Sequence, residues 1–509
     1  MKSWLTGFLY LLLCVPTVGA EELPTDRVAR LVAVEPTHLN PLFQPDVWAY
    51  RIAHDLICEP LVRRTEHDAR VEYQPVLAER FRLDREGRTL DVWLRKGVRF
   101  HDGRPLHSYD VQLSLQMVLA QAEGTETRSL LRNVQKITRT GPDTLRFTLR
   151  FGNAQILDAL SELSIVPAAY FPDGRLPQKP FHRKPVCTGP FRFVEWKRNQ
   201  QVVLRRNPVY WGSAPPLDEL RFLFAADAAK AFHLFRSGQA DALLRVPLRY
   251  IPELVEPAVA RGRFAKLVPE AKQVVTLVYN GRRPLLSLAA VRQALAGFLD
   301  PQTLVREVRH GLGSFEMPLP RPARFTQPQA EKVLDDQKIS RAAPGSARLW
   351  NGRLVVFKLL FPSHSPELRD LAARCAAAFD KLGIQTVPEA IEPAVFLSRL
   401  RQGGFDLALL AWNYTGSDRL FDPGPLLNLA YPAQHPIWNT LASKLLPWQN
   451  GVDAEGLRSL WQIEQPITLL YRTQQLVLVR PGVTAENRNG FLDFRTLSLA
   501  NPNEQKHGP

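Results

Sequence analysis

Cysteine and methionine are scarce in this chain, with four cysteines and three methionines among 509 residues. No two cysteines have CxxC spacing, and no cysteine–histidine cluster has the spacing of a zinc site. The GxSxG, HExxH and GxxxxGK[ST] motifs of hydrolases, zinc proteases and nucleotide-binding loops are also missing from the sequence. We therefore expect no enzyme activity, no catalytic residues, no metal site and no cofactor.

Long apolar runs are missing beyond the first twenty residues, so no later segment is predicted to span a membrane. The N-terminus itself carries Lys2, a short apolar run over residues 5–15, and small residues at Gly19 and Ala20. This pattern is typical of a secretory signal peptide, which we assign to residues 1–20. The expected location of the mature chain is the periplasm.

The cysteines leave one question open about anchoring. Cys14 lies inside the apolar run, so lipid attachment there is an alternative to simple cleavage. Three leucines precede Cys14, whereas such attachment sites usually have small residues, and this disfavours the lipoprotein reading.

Removal of the signal leaves an odd number of cysteines in the mature chain, so at least one stays unpaired. Cys375 lies at helical spacing among alanines and is predicted to be a buried free thiol.

Charge of one sign is not concentrated anywhere, although the formal net charge is +15. Basic residues form only short clusters such as Arg205-Arg206 and Arg282-Arg283, which argues against binding to nucleic acid. Hydrophobic residues make up 45% and charged residues 23% of the chain, a balance typical of globular proteins. The length exceeds one ordinary core and predicts two or three domains.

The most informative block of the sequence is GVRFHDGRPLHSYDV, over residues 97–111. It follows an alternating strand and breaks at a His-Asp-Gly turn. A helix is predicted to open after the turn, with Ser108 as its N-cap and Asp110 in its first turn. A second block, CTGPFRF over residues 187–193, leads into a hairpin and then into NPVYWG at residues 207–212.

These blocks closely resemble the signature of the extracellular solute-binding proteins of family 5, which are periplasmic receptors of ABC importers. Four further blocks, two before and two after these, stand in the family's order: LNP (residues 39–41), EPLV (59–62), GQAD (238–241) and VRQAL (291–295). Cys187 stands where the family usually has a glycine. The ordered set spans about residues 28 to 495 and identifies the chain as a member of this family.

The resemblance implies an α/β, two-lobed periplasmic-binding-protein fold of the Venus-flytrap type, with an inserted third subdomain. Strands and helices alternate between residues 354 and 411, which independently predicts a partly parallel sheet in the second half. Expected boundaries are residues 21–50, 186–270 and 478–509 for lobe one, 51–185 for the inserted subdomain, and 271–477 for lobe two. Both Cys58 and Cys187 fall near the edges of this first lobe, which makes them candidates for a disulfide.

The resemblance also suggests where a ligand binds. In dipeptide and oligopeptide receptors of the family, a Trp ends a strand and an Asp shortly after it holds the ligand's α-ammonium group. Trp412 matches that Trp, and Asp418 is the nearest match to that Asp, although the loop here is longer by about two to three residues and Thr415 stands where the closest family pattern has the Asp. Core packing is the alternative role for Trp412, and a helix cap or solvated turn is the alternative for Asp418. Asn413 and Tyr414 are candidate polar contacts in the same segment.

Two aromatic residues are candidates for covering the ligand from the facing lobe. Phe43 and Trp48 lie in the loop that the resemblance places there, and packing at the base of lobe one is the alternative role for both. The sequence does not single out a cation for a ligand carboxylate among Arg282, Arg292 and Arg399. His101, Asp102 and His107 look like a metal or catalytic cluster, but in the family this stretch is a structural turn.

The expected function is capture of short peptides or a similar polar solute between two closing lobes and delivery to ABC permease subunits in the inner membrane. The expected form is a monomer without nucleic-acid partners. One alternative is a receptor of the same fold for a metal complex, haem or another non-peptide solute. Another is an exported solute sensor that is not dedicated to transport.

Overall fold

The structure of the chain is a computed structural model. It describes residues 27–499 except 43–45, 68–69, 122–130, 153–155, 176–179, 316, 318, 321, 414–423, 432–438, 442, 444–453 and 489–490. Two large mixed sheets organise this part of the chain, and helices pack against both. Among the described residues, no helix combines the length and the apolar character that crossing a bilayer requires.

The seven-stranded sheet is built mostly from the ends of the chain. Its strand Val28–Ala33 begins shortly after the predicted signal and pairs in parallel with Glu219–Phe224 and Ala242–Leu243. In spatial order the strands are Ala265–Leu267, Val477–Val479, Ala242–Leu243, Val28–Ala33, Glu219–Phe224, Gln201–Arg206 and Phe191–Lys197.

The six-stranded sheet belongs to the second half of the chain. Strand Val356–Pro362 runs parallel to two neighbours, so the predicted partly parallel sheet is confirmed. The connecting helix Pro366–Lys381 is capped by Ser365, whose side chain accepts a hydrogen bond from the backbone N–H of Leu368. In spatial order the strands are Gly313–Ser314, Ile467–Gln474, Glu270–Tyr279, Leu407–Asn413, Val356–Pro362 and Gln385–Ile391.

Smaller sheets complete the strand structure. A four-stranded sheet has the order Ala78–Leu83, Thr89–Leu94, Thr144–Leu149 and Val134–Gly141. A three-stranded sheet joins Ser340–Arg341, Arg348–Trp350 and Arg353–Leu354. The remaining two-stranded pairs are Val62–His67 with Arg70–Pro75, Val483–Thr484 with Ser498–Leu499, and Asn487–Arg488 with Phe491–Leu492.

One strand of the four-stranded sheet is shorter than its sequence pattern predicts. The alternation of Leu145, Phe147, Leu149 and Phe151 predicts a strand that reaches residue 151, but the strand ends at Leu149 and Phe151 is 56% exposed. Asn133 explains the difference, because its side-chain oxygen accepts from the N–H of Phe151 and its amide donates to the Phe151 carbonyl. These bonds divert the backbone from the sheet.

Each half of the chain has its own set of helices. Those near the seven-stranded and four-stranded sheets are Val47–Ala49, Tyr50–Ile57, Ser108–Gln121, Ile156–Glu162, Ala168–Tyr170, Pro180–Arg183, Ala228–Arg236, Leu248–Tyr250, Ile251–Val255 and Glu256–Ala260. Those that accompany the six-stranded sheet are Pro284–Ser287, Ala289–Phe298, Pro301–Arg309, Gln327–Asp336, Pro366–Lys381, Pro393–Gln402, Gly424–Ala430 and Ala454–Glu464.

Each large sheet is buried on both faces. One face of the seven-stranded sheet shares a continuous hydrophobic core with the four-stranded sheet, and its other face packs against helix Ala228–Arg236. The six-stranded sheet separates two further cores, one centred on helix Pro366–Lys381 and the other on helices Pro393–Gln402 and Ala454–Glu464. Cys375 is fully buried in the third of these four cores and is a free thiol, as predicted.

The chain crosses between the two large sheets through two short connections. Residues 268–269 join strand Ala265–Leu267 to Glu270–Tyr279, and residues 475–476 join Ile467–Gln474 to Val477–Val479. The connections touch, because the N–H of Gln475 donates to the carbonyl of Pro269 over 3.3 Å. The two crossings therefore lie side by side, and we call this pair of connections the hinge segment.

A disulfide joins the residue before block EPLV (59–62) to the first residue of block CTGPFRF (187–193). Cys58 and Cys187 are bonded and both are fully buried, so the hypothesis that they pair is confirmed. Next to the disulfide, Glu59 is 1% exposed and accepts hydrogen bonds from three side chains. The donors are Thr188 Oγ1 at 2.8 Å, Tyr210 Oη at 2.6 Å and Trp211 Nε1 at 2.9 Å. Burial raises the pKa of Glu59, and the three donors oppose that rise.

The His-Asp-Gly turn packs against the segment that contains Cys187 and Gly189, and we call this contact the junction. The Nε2 atom of His101 lies 3.0 Å from the carbonyl oxygen of Gly189, and its Nδ1 accepts from the N–H of Cys187 at 3.4 Å. Because Nδ1 accepts here, the neutral ring carries its proton on Nε2. His101 therefore joins the two strongest sequence blocks and has a structural role.

The predicted N-cap of the following helix is wrong. The helix begins at Ser108, so the cap position falls on His107, and Ser108 Oγ donates instead to the carbonyl of Gly141. Asp110 takes over part of the capping, because its carboxylate accepts from the N–H of His107 at 2.8 Å and from that of Ala168. These hydrogen bonds connect the start of the helix to the segments that contain Gly141 and Ala168.

Acidification is expected to destabilise the junction through His101. Burial lowers the pKa of His101 to about 4, against about 6.5 in an unfolded chain. A lowered histidine pKa means that stability is fully present above pH 6.5 and is lost as the pH falls toward 4. Between pH 7 and pH 5, the wild type should lose about 1–2 kcal/mol of unfolding free energy relative to His101→Gln.

Urea unfolding at both pH values measures this difference. His107→Gln is the matched control, because the His107 side chain is 52% exposed and its Nδ1 atom lies 3.7 Å from the carboxylate of Asp143. Equal pH dependence in wild type and His101→Gln would contradict the assignment.

Candidate functional site

The six-stranded sheet changes character where it adjoins the hinge segment. Its inner rows are mostly apolar, with buried hydroxyls at Thr276 and Thr468, whereas its last two rows carry several polar residues and a tryptophan. We call these rows the sheet end; they consist of Gln273, Val274, Trp412, Asn413, Arg472 and Thr473. The sheet end is the part of the six-stranded sheet that faces the crossings to the other sheet.

Strand register fixes which members of the sheet end share a face. Val274 pairs with Trp412 on one side and with Arg472 on the other, so these three side chains point to the same face. Gln273 precedes Val274 and points to the opposite face, where Thr473 Oγ1 donates to Gln273 Oε1 over 3.4 Å. The sheet end thus presents an aromatic–cationic row and a polar row on opposite faces.

Trp412 is half-buried, in contrast to the leucines before it in the same strand. It packs against the core that contains Val274 and Leu410, and part of its ring remains accessible. The structure therefore places Trp412 at the boundary between the core and the space next to the hinge. Asn413 ends the same strand and pairs with Gln273.

Arg472 is the member of the sheet end that sequence reasoning missed. It is only 8% exposed, and its strand ITLLYRTQ passes from apolar residues to Arg-Thr-Gln as it approaches the hinge. The strand LALLAWN passes from apolar residues to Trp-Asn in the same way. Arg472 could have been found from the sequence by comparing the ends of these two strands, since both change from apolar to polar residues.

The arginines considered from the sequence have other roles. Arg292 is fully buried and donates to backbone carbonyls at the ends of two helices. Arg399 donates to the carboxylate of Glu389 at 2.9 Å. Arg282 lies against Gly403, so close that a side chain at that glycine would collide with it. None of these three arginines belongs to the sheet end.

The remaining predicted site residues divide into two groups. Tyr414, Asp418 and Phe43 lie outside the described residues, so their roles stay predictions. Trp48 is described and is 7% exposed within the core of the seven-stranded sheet. The N–H of Trp48 donates to Asp46, and the guanidinium of Arg51 lies 5.5 Å from its ring centre. This placement favours a packing role for Trp48.

An open concavity of about 650 Å³ lies elsewhere, on the seven-stranded sheet beside helix Ala228–Arg236. Two of its basic lining residues are paired with carboxylates, Arg30 with Asp241 and Arg221 with Glu219, which weakens this concavity as an anion site. The sheet end remains the better candidate, since it adjoins the junction between the two large sheets, where ligand sites preferentially occur.

The described residues contain no group of three histidine, cysteine, aspartate or glutamate side chains arranged to hold a metal ion. His101 and His107 do not form the metal or catalytic cluster that their spacing suggests. His101 contacts the Gly189 carbonyl, whereas His107 faces Asp143. These contacts agree with a structural turn.

Comparison with known proteins gives the family. The model of the bacterial extracellular solute-binding proteins, family 5, matches residues 72–430. The chain belongs to this family, which consists of solute-binding proteins rather than enzymes. The fold predicted from the sequence, a two-lobed periplasmic-binding-protein fold of the α/β class, is confirmed.

Relatives within the family have different ligands in their names. The oligopeptide-binding protein AppA of Bacillus subtilis is 24% identical over 400 residues, which cover 74% of this chain and 72% of the relative. Heme-binding protein A of Haemophilus influenzae is 25% identical over 376 residues, covering 68% and 67%. The crystal structure of NikA from Brucella suis in complex with Fe(III)-EDTA has a TM-score of 0.81 at 20% identity, covering 93% of this chain and all of that one.

Proposed function

We propose that this protein is a periplasmic receptor that captures short peptides, or a similar polar solute, and delivers them to an ABC permease without chemical turnover. The observation that carries the proposal is the sheet end, where the sheet finishes beside the hinge segment with a half-buried tryptophan and a buried arginine on one face and the polar pair Gln273 and Thr473 on the other. Aromatic surface with a few convergent polar groups is what a small-solute site requires.

The proposal includes the division into lobes. Residues 21–50, 186–270 and 478–509 form lobe one, residues 51–185 form the inserted subdomain, and residues 271–477 form lobe two. The separate sheets and the paired crossings at 268–269 and 475–476 support this division. Two adjacent crossings allow one lobe to rotate on the other with few backbone changes, which is how hinged receptors close on a solute.

Peptide is the favoured solute class for two reasons. The oligopeptide-binding relative and the E. coli dipeptide-binding protein both match most of this chain. The proposed site also suits a peptide, because the half-buried Trp412 offers an apolar wall against which a peptide side chain can pack. In this proposal Asp418 binds the ligand's α-ammonium group, and residues 1–20 direct export to the periplasm.

Calorimetry with di- to pentapeptides tests the proposal. We expect the mature protein to bind at least one length class with micromolar affinity, which corresponds to about −8 kcal/mol. Trp412→Ala should weaken that binding at least about tenfold, because loss of a buried aromatic contact typically costs more than 1 kcal/mol. Failure of every peptide to bind the wild type would overturn the peptide assignment.

Trp93→Ala is the matched control for the tryptophan substitution. Trp93 is also half-buried, but it lies on the four-stranded sheet, where its ring stacks under Arg80 at 4.0 Å. Its replacement should leave peptide affinity within about twofold. Equal losses in both variants would show that Trp412 acts through general stability rather than through the ligand.

A further inference from the structure

We propose that Leu312 controls the equilibrium between the arrangements of the two lobes and thereby sets the affinity of this receptor for every solute. The inference rests on the proposed function and on its division into lobes, and it adds a positioning residue that lies outside the sheet end. Leu312 lies in lobe two, in the turn between helix Pro301–Arg309 and strand Gly313–Ser314.

A hydrophobic core of lobe one is the partner of the Leu312 side chain. This core lies beside helix Ala228–Arg236 and includes Leu476 of the hinge segment, and Leu312 packs against it while remaining partly exposed. Within the described part of residues 270–474, no other residue packs against this core or against the core that the seven-stranded and four-stranded sheets share. Leu312 therefore gives the lobes a third point of contact beside the two crossings.

Arg309 fixes the backbone of Leu312 to lobe two. Its Nε donates to the carbonyl of Leu312 over 2.6 Å, and its Nη2 donates to the carbonyl of Gln474 over 2.7 Å. The N–H of Gln474 donates to the same Leu312 carbonyl over 3.3 Å. Arg309 is 5% exposed and pairs with Glu367 in the first turn of helix Pro366–Lys381. Leu312 therefore moves together with the core of lobe two.

The turn that carries Leu312 is tightly built. His310 and Gly311 both have left-handed backbone conformations, with φ of +51° and +85°, which end the helix sharply. Gly313 follows Leu312, and a Cβ atom there would lie 2.8 Å from both γ-carbons of Val305. The turn is thus packed against its own helix, and it holds the Leu312 side chain in one position relative to lobe two.

Rotation about the hinge segment changes the contact of Leu312 with lobe one. The crossing begins at Gln475, directly after the residue that Arg309 holds, so lobe two is fixed up to the point of rotation. A contact that differs between two arrangements of the lobes shifts their populations. The apparent affinity for a solute is proportional to the fraction of protein in the binding-competent arrangement. That fraction belongs to the protein alone, so a change in it alters the affinities for all solutes by the same factor.

The test combines calorimetry with a distance between the lobes in the ligand-free protein. Spin labels on keto amino acids introduced at Lys230 and Arg374, two exposed helix positions in opposite lobes, report that distance. Leu312→Ala should shift or broaden the ligand-free distance distribution, because it removes most of an apolar contact between the lobes. It should change the affinities for a dipeptide and a tripeptide from the binding screen by one common factor of at least about threefold.

The sign of the two changes is linked. Binding should become tighter if the ligand-free distance moves toward that of the peptide-bound wild type, and weaker if it moves away. Leu312→Met keeps an apolar side chain of similar volume and should stay close to the wild type in both measurements. Leu354→Ala is the matched control, because Leu354 is 49% exposed on the three-stranded sheet of lobe two. This control should leave the distance unchanged and both affinities within about twofold.

Each outcome decides the inference. An unchanged ligand-free distance in Leu312→Ala would overturn it. Affinity factors that differ between the two peptides would show that Leu312 acts on the ligand directly, and a change of affinity opposite to the shift in distance would exclude control through the lobes. If no peptide binds the wild type, the proposed peptide function fails, whereas the ligand-free distance still decides whether Leu312 controls the lobes.

Discussion

Replacement of Arg292 by methionine is expected to lower the free energy of unfolding by about 3–5 kcal/mol. Arg292 is fully buried in helix Ala289–Phe298, and all three of its nitrogens donate to backbone carbonyls. Nη1 donates to Leu286 and Ser287, both at 2.8 Å, and Nε donates to Glu464 and Gln465 at 3.1 and 3.2 Å.

These carbonyls lie at the ends of helices Pro284–Ser287 and Ala454–Glu464, where the last carbonyls have no partner within the helix. A cation at this point satisfies the carbonyls and opposes the negative ends of the helix dipoles. Methionine keeps the apolar stem but leaves several buried carbonyls without donors, and each such loss costs about 1–3 kcal/mol.

Urea unfolding followed by circular dichroism measures the effect. Arg374→Met is the matched control, because Arg374 forms an exposed pair with Glu307 and should contribute less than about 1 kcal/mol. An Arg292→Met protein that unfolds within 1 kcal/mol of the wild type would contradict the structural role given to Arg292.

Loss of the disulfide is the second large expected effect. Cys58 and Cys187 close a loop with a sequence separation of 129 residues, and both are fully buried beside Glu59. A cross-link over a loop of this length is worth up to about 5 kcal/mol when its effect on the unfolded chain is counted, and natural disulfides typically contribute 2–5 kcal/mol. We expect Cys58→Ala/Cys187→Ala to lose an amount in this range.

Thermal unfolding with and without a reductant tests the disulfide. The wild type should lose stability on reduction, whereas the double variant should unfold at one temperature under both conditions. Cys375→Ala is the control, because Cys375 is a free buried thiol and its replacement should leave the response to reductant unchanged. A wild type that is insensitive to complete reduction would contradict the prediction.

Much of the fold follows from local patterns in the sequence. Helix Pro393–Gln402 and helix Pro366–Lys381 begin and end where their caps predict, because proline, serine and glycine act over only a few residues. The parallel arrangement of strand Val356–Pro362 follows equally well, since a strand–helix–strand unit leaves few alternatives.

The roles of the arginines could not be obtained in this way. Arg292 stood among the candidate ligand cations, and only the packing of helix Ala454–Glu464 shows that it binds carbonyls. Arg472 joins Trp412 through pairing with a third strand that lies nearly 200 residues earlier in the chain. The register between distant strands is set by tertiary structure, so it cannot be predicted from local periodicity.

The central claim is that this receptor carries a short peptide, and mass spectrometry of the protein with the ligand acquired in the cell tests it most directly. The mature protein is purified from the exported fraction without denaturation, and its native mass is compared with its mass after unfolding. We predict one bound molecule per chain, which fragments as a short peptide with a free carboxyl group. Recovery of haem, a metal complex or another non-peptide solute in that position would contradict the account.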